Sequence, residues 1–145
     1  MRKIIRLLPQ QIPFFWDAIK KASAEANQFK EKDFQVFFNN LLHGLLNDKS
    51  QCFILMDDNR ILLGLIVTKI IFNKITGSKE LEVLSAYLWE KIGESEWAKF
   101  YTFVREFAQH ADCNKIIFKS GNPKIWTICN KLSIPEVSRN FVVEV

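Results

Sequence analysis

Apolar and polar residues alternate at two different spacings along this chain, and each change of spacing marks a new element. Arg2–Leu8 predicts a short first strand stopped by Pro9. Ile12, Phe15, Trp16 and Ile19 then recur on one helical face, which predicts a helix over Ile12–Ala24 with Pro13 tolerated in its first turn. Polar Asn27–Asp33 reads as a loop. Phe34, Phe37, Phe38, Leu41, Leu42 and Leu45 resume helical spacing over Asp33–Asn47, with Asp33 as N-cap.

Cys52–Met56 has strand character, and Asp57-Asp58-Asn59 supplies residues that tolerate left-handed backbone angles in a hairpin turn. The partner strand, Arg60–Phe72, is apolar almost throughout, which predicts burial on both faces. After a loop at Asn73–Lys79, strict alternation in Glu80–Trp89 predicts Leu81, Val83, Ser85, Tyr87 and Trp89 on one face, with Glu82, Leu84, Ala86 and Leu88 on the other. Ser95–Ala111 is a helix burying Trp97, Phe100, Tyr101, Val104 and Phe107, and Lys115–Ser120 is a fifth strand. Asn122-Pro123 starts a helix running to about Lys131: Asn caps, and Pro sits where its missing N–H is harmless. Asn140–Val145 completes the pattern as a sixth strand.

The resulting order is β-α-α-β-β-β-α-β-α-β, an α+β pattern. A doubly wound sheet would alternate strand and helix from the beginning. No linker, repeat or low-complexity tract divides the chain, so one domain is expected over residues 1–145. A domain of this length buries roughly 68–70% of its extended surface, enough for its own core. The 48% apolar and 13% aromatic content excludes disorder.

The net charge of +4 is scattered among Arg2-Lys3, Lys20-Lys21 and Lys30. A nucleic-acid surface concentrates its basic residues on a stripe with interleaved aromatics, so the charge pattern argues against nucleic acid and is compatible with an anionic cofactor. Cys52, Cys113 and Cys129 form no CxxC pair, which argues against a disulfide framework and against a metal site. Arg6 and Pro9 interrupt the opening apolar residues, unlike a signal peptide, and the longest apolar stretch, Ile61–Ile71, is too short to cross a bilayer. A cytoplasmic protein, in a cell or an infected host, is the expectation. His43 and His110 have no local Asp or Ser partner and read as exposed helix residues.

The order of elements resembles that of the GNAT acyltransferase superfamily over essentially the whole chain. Asp57-Asp58-Asn59-Arg60-Ile61-Leu62-Leu63-Gly64 is similar to the acidic hairpin, apolar pair and Gly of these proteins. Asn122 followed by Cys129-Asn130-Lys131-Leu132-Ser133-Ile134 is similar in spacing to the family's Asn and Tyr-Glu-Lys-Leu-Gly-Phe. The resemblance implies a mixed, mostly antiparallel sheet of about six strands, splayed between the fourth and fifth. It also implies an acetyl-CoA or other acyl-CoA cofactor lying in the splay, its pyrophosphate at the N-terminus of the next helix.

On that resemblance the cofactor-binding residues are Leu88, Trp89, Lys91, Gly93, Ser95 and Asn122. The phosphate loop becomes Glu90-Lys91-Ile92-Gly93-Glu94-Ser95, in which Gly93 matches the family and Ser95 is small. Glu90 stands where a polar or basic residue is usual, and Glu94 and Glu96 flank the helix start. Glu82 is the carboxylate best placed as general base, because its strand borders the splay. Cys129 occupies the slot of the family's proton-donating Tyr; a Cys on an apolar helix face also reads as a small core residue.

Two functions remain open. One is an acyl-CoA-dependent N-acyltransferase acting on a small-molecule or peptide amine. The other is a catalytically inactive GNAT-like binding or structural module without cofactor, which predicts an exposed apolar patch and a homo-oligomer or protein partner. Asn122-Pro123-Lys124-Ile125-Trp126 and the strand after it resemble phage- and prophage-encoded GNAT-like proteins, which implies host cytoplasm or a virion as the location.

Overall fold

Helices cover both faces of a single sheet, because its central strands are apolar on both sides. The computed structural model describes residues 2–27, 31–119, 123–138, 141 and 143–145. The elements are β1 (Lys3–Arg6), a 3-10 turn (Pro9–Gln11), α1 (Ile12–Asn27), α2 (Glu31–Leu46), β2 (Ser50–Met56) and β3 (Leu62–Phe72). They continue with β4 (Lys79–Leu88), α3 (Glu94–His110), β5 (Lys115–Phe118) and α4 (Pro123–Lys131). Spatial order follows chain order, β1-β2-β3-β4-β5. The first four strands are antiparallel neighbours, and β4 and β5 are parallel.

One core lies between the sheet and α1 and α2, built from Ile12, Ile19, Leu41, Leu45, Cys52, Ile54, Leu65 and Val67. The second lies under α3, where Phe53, Leu55, Ile66, Leu81 and Val83 meet Phe100, Val104 and Ala108. Phe100, Val104 and Ala108 recur every fourth residue as the buried stripe of α3, with Trp97, Phe103 and Phe107 packed beside it. β2 divides its residues between the two cores by simple alternation.

Several boundaries differ from the sequence expectation. α1 runs past Ala24 to Asn27, and α2 begins at Glu31, which puts Asp33 inside the first turn instead of at the N-cap. The loop between them narrows to 28–30, outside the described residues. Ser120 and Asn122 also lie outside them, so β5 is described to Phe118. Of the expected sixth strand, 140 and 142 fall outside the described residues, while Phe141 and 143–145 carry no strand hydrogen bonding. The described sheet therefore has five strands.

The facing of β4 also departs from expectation. Thr68 pairs with Val83 and Val67 with Ser85, so Leu84 has no residue opposite it. This bulge shifts the alternation by one position. Leu81, Val83, Ala86 and Leu88 face α3, whereas Leu84 and Tyr87 pack on the side of α1 and α2. Leu81, Val83 and Tyr87 do not share a face.

Candidate functional site

The sheet opens where β4 leaves β5. Their parallel ladder joins Glu80 to Lys115, Leu81 to Ile116, Glu82 to Ile117 and Val83 to Phe118, and then stops. The stop coincides with the Leu84 bulge, which bends the strand and increases its twist. Beyond it Ser85–Leu88 remains paired with β3 but, among the described residues, has no strand on its other side. The Trp89 N–H donates to the Leu63 carbonyl at 2.8 Å. Alternation back along the strand turns the N–H groups of Leu88 and Ala86 the opposite way, toward the open edge.

The open edge leads into the turn before α3. Ile92 is buried and anchors the turn in the second core, while Lys91, Gly93 and Ser95 are exposed. Gly93 is the helix N-cap, in an extended conformation with no side-chain cap. A Cβ built on it meets no atom within 4 Å. The Trp97 N–H returns to the Gly93 carbonyl at 3.1 Å, so the N–H groups at 94–96 are the unpaired donors of the helix end. Backbone at this turn is open to close approach.

Its charge is mixed. Glu94 and Glu96 occupy the first turn of α3, where carboxylates complement the helix dipole. Arg2, just before β1, reaches Glu96 and, behind the turn, Glu90. Its guanidinium donates to Glu96 at 2.6 Å and to Glu90 at 3.2 Å, and the Glu96 hydrogen bond holds it still more firmly protonated. A recess of about 280 Å³ lined by Arg2, Ile4, Leu55, Glu96 and Lys99 lies beside this ion pair. Sequence reasoning missed Arg2 as a site residue: 94 positions separate it from Glu96, and no local motif marks it.

The gap between α3, α4 and the sheet is filled by the chain's own side chains. Val83, Ala86, Trp97, Phe118, Ile125 and Ile128 are among those lining a cavity of about 20 Å³. That is room for roughly one water molecule, in walls with no polar group to hold it.

The structure brings Leu88, Trp89, Lys91, Gly93 and Ser95 together on one turn, and Asn122 lies outside the described residues. Glu82 sits before the bulge, opposite Lys69 on β3 and Ile117 on β5, on the α1 side of the sheet. It is therefore in the closed part of the β4–β5 ladder. Cys129 is half-buried on α4 but does not line the gap, which α4 reaches through Ile125, Ile128 and Leu132. Burial pushes its thiol above the ordinary range, so it keeps its proton at neutral pH. Among the described residues no side-chain hydrogen bond links Glu82 to Cys129, and no group of three or more His, Cys, Asp or Glu is arranged to hold a metal ion. No described helix is long and apolar enough to cross a membrane.

Tyr87 and Trp89 lie on the other flank of the opening. Their rings meet edge to face with centroids 5.0 Å apart. The Glu25 carboxylate of α1, with burial, raises the Tyr87 phenol above its usual range.

No protein-family model and no curated protein matches this sequence. Solved structures do match its fold over nearly the full length. The aminoglycoside 6'-N-acetyltransferase AAC(6')-Ih from Acinetobacter baumannii superposes with a TM-score of 0.75 at 11% identity, covering 100% of this chain and 98% of the other. A ribosomal-protein-alanine N-acetyltransferase from Brucella melitensis biovar Abortus gives 0.72 at 14% identity, with 100% and 99% covered. A predicted acetyltransferase from Clostridium acetobutylicum, solved with acetyl-CoA, gives 0.72 at 12% identity, with 99% and 96% covered.

Proposed function

The chain has the fold of the GNAT acetyltransferases, and we propose that it works as an acyl-CoA-dependent N-acyltransferase on a small amine. One observation carries this reading: the β4–β5 ladder ends at the Leu84 bulge and leaves a free strand edge running into an unobstructed glycine turn. The residues fit an acyl-CoA along that edge, where Ala86 and Leu88 offer N–H donors. At the turn the backbone of Gly93 and Ser95 is exposed, with Lys91 beside it. Glu90, Glu94 and Glu96 weaken the fit to the nucleotide phosphates; Arg2, held between Glu90 and Glu96, offsets part of that charge.

Bound there, the cofactor supplies a thioester whose acyl carbon is open to nucleophilic attack. The chain's own groups do the rest. The Ala86 and Leu88 amides, fixed by pairing of their strand with β3, stabilise negative charge developing on a carbonyl oxygen. Glu82 takes a proton from the amine, through water because it lies before the bulge. Cys129 stands off the gap, so a departing thiolate would take its proton from solvent.

The acceptor is a small molecule, in keeping with the aminoglycoside enzyme among its structural relatives. Calorimetric titration with acetyl-CoA, followed by a thiol-release assay over a panel of primary amines, tests this. Binding with amine-dependent thiol release is expected. Absence of both removes the reading.

A second reading is favoured by the side chains filling the gap between α3 and α4 and by the acidic first turn of α3. In it the fold serves as a non-catalytic binding or structural module, as in the phage-encoded relatives that the α4 segment resembles. Phe14 and Ile75 are exposed apolar side chains available to a partner or a second copy. The acetyl-CoA titration separates the two.

A further inference from the structure

The N-terminus of α3 lacks a cap that its own sequence could supply. Gly93 is the N-cap, so Glu96 holds the third helical position. From that position a glutamate side chain reaches back to the N–H of the cap residue, the acidic half of a capping box. Here both carboxylate oxygens of Glu96 instead accept from Nη1 of Arg2, at 2.6 and 2.5 Å. Nη2 of the same guanidinium donates to Glu90 at 3.2 Å, so one side chain ties the start of the turn to the first turn of α3. The Glu96 carboxylate is also drawn sideways. With Arg2 and Lys99 it walls a recess of about 280 Å³ against Ile4 of β1 and Leu55 of β2. The open edge lies along β4, two strands farther across the sheet.

Self-capping and anion binding compete for the same donors. A carboxylate bonded to the Gly93 N–H puts a full negative charge at the helix end and fills the approach that a phosphate would take. The ion pair with Arg2 removes both obstacles, because it fixes the carboxylate elsewhere and pairs its charge. Glu94 stands at the first helical position, not the third, and is not the capping residue.

We propose that Arg2 is a positioning residue for this turn: it withholds Glu96 from the N-terminus of α3 and so sets how readily the cofactor phosphates approach. The step from clamp to cofactor rests on the acyltransferase reading; the clamp itself does not.

The test compares the unaltered chain with Arg2→Met, which keeps the apolar stem without the charged fork, and with Arg2→Met/Glu96→Ala. In the free proteins, exchange of the Gly93 amide followed by NMR is expected to slow about three- to tenfold in Arg2→Met, the worth of one cap. It should recover in the double variant. Acetyl-CoA affinity by calorimetry should fall about three- to tenfold in Arg2→Met, and the double variant should regain most of that loss. Melting midpoints are expected to agree within about 3 °C, since the ion pair is at the surface. An unmoved Gly93 amide in Arg2→Met, whatever the midpoint does, overturns the proposal and leaves an ordinary surface ion pair. An equal gain in affinity from Glu96→Ala with and without Arg2 overturns it too. If the unaltered chain binds no acetyl-CoA, the acyltransferase reading fails and the Gly93 amide alone decides the clamp. If acetyl-CoA binds and Arg2→Met leaves Gly93 unmoved, the clamp fails and the reading stands.

Discussion

Phe100 joins α3 to the strands that carry the opening, and its truncation gives a sharp stability test. The side chain is fully buried. It stacks on Trp97 with centroids 6.2 Å apart and 21° between planes. The Leu88 side chain fills the space over Gly64, 2.6 Å from where a Cβ would stand, and the Phe100 Cε2 borders it at 3.7 Å. Phe100→Ala removes the ring from a site walled by strands, which limits collapse into the space. The cost is about 3–5 kcal/mol. For a chain of 145 residues, an unfolding entropy of about 2.1 cal/mol/K per residue gives roughly 0.3 kcal/mol/K, so the midpoint should fall about 10–16 °C. Phe100→Leu keeps most of the volume and should lose about a third as much. Thermal melts followed by circular dichroism, with urea titrations to check for an unchanged slope, provide the measurement. A fall below about 4 °C for Phe100→Ala would refute this seating of α3.

Gly93→Ala should cost about 1 kcal/mol of folding stability or less, since the added methyl meets nothing within 4 Å and the loss is only that Ala is a poorer N-cap than Gly. It should weaken acetyl-CoA about tenfold by keeping phosphate off the helix end; unchanged affinity would place the phosphates elsewhere. Gly44→Ala sets a Cβ 2.5 Å from the Ser50 Oγ and 3.1 Å from its Cβ, an overpacking cost of about 1–3 kcal/mol against about 1 kcal/mol of gained helix propensity. Ser50→Gly in the same chain should restore most of the loss in urea titrations, and additive effects would contradict that contact. Burial holds the Cys52 thiol far above its ordinary range, whereas the unfolded thiol ionises from about pH 8.5. Above that pH the unfolded chain binds fewer protons, so stability falls with rising pH, approaching about 1.4 kcal/mol per pH unit for this thiol. Cys52→Ala should flatten that slope between about pH 8.5 and 10; parallel profiles would show that Cys52 is not buried.

Periodicity made most of the fold legible. The Phe and Leu stripe of α2, the continuous apolar run of β3 and the i, i+4 stripe of α3 each have one burial solution, and each adopts it. The Asp57 turn was legible in kind and not in detail. Asp57 accepts N–H donors from Asn59 and Ile61 at 2.9 Å, but the left-handed residue is Arg60, with φ of 61°, and not an Asp or Asn. The glycine turn after β4 was equally visible, since Gly93 is the small residue at the helix start.

The β4 bulge was not visible. Leu84 is apolar and suits either face, so the alternation of Glu80–Trp89 reads as unbroken, and only the register against β3 reveals the extra residue. That one residue reassigned Tyr87 and left Glu82 in the paired part of the ladder. Arg2 was hidden for a different reason: an ion pair spanning most of the chain has no local signature. Cys129 matched a motif by spacing, yet α4 presents Ile125, Ile128 and Leu132 to the gap instead.

Hydrogen exchange of the β4 amides, with and without acetyl-CoA, reaches the open strand edge most directly. In the free protein Ala86 and Leu88 should exchange far faster than Leu65 and Val67 on β3, and saturating acetyl-CoA should slow Ala86 and Leu88 selectively. Slow exchange of Ala86 and Leu88 in the free protein, unchanged when the cofactor is added, would contradict an edge left open for a ligand.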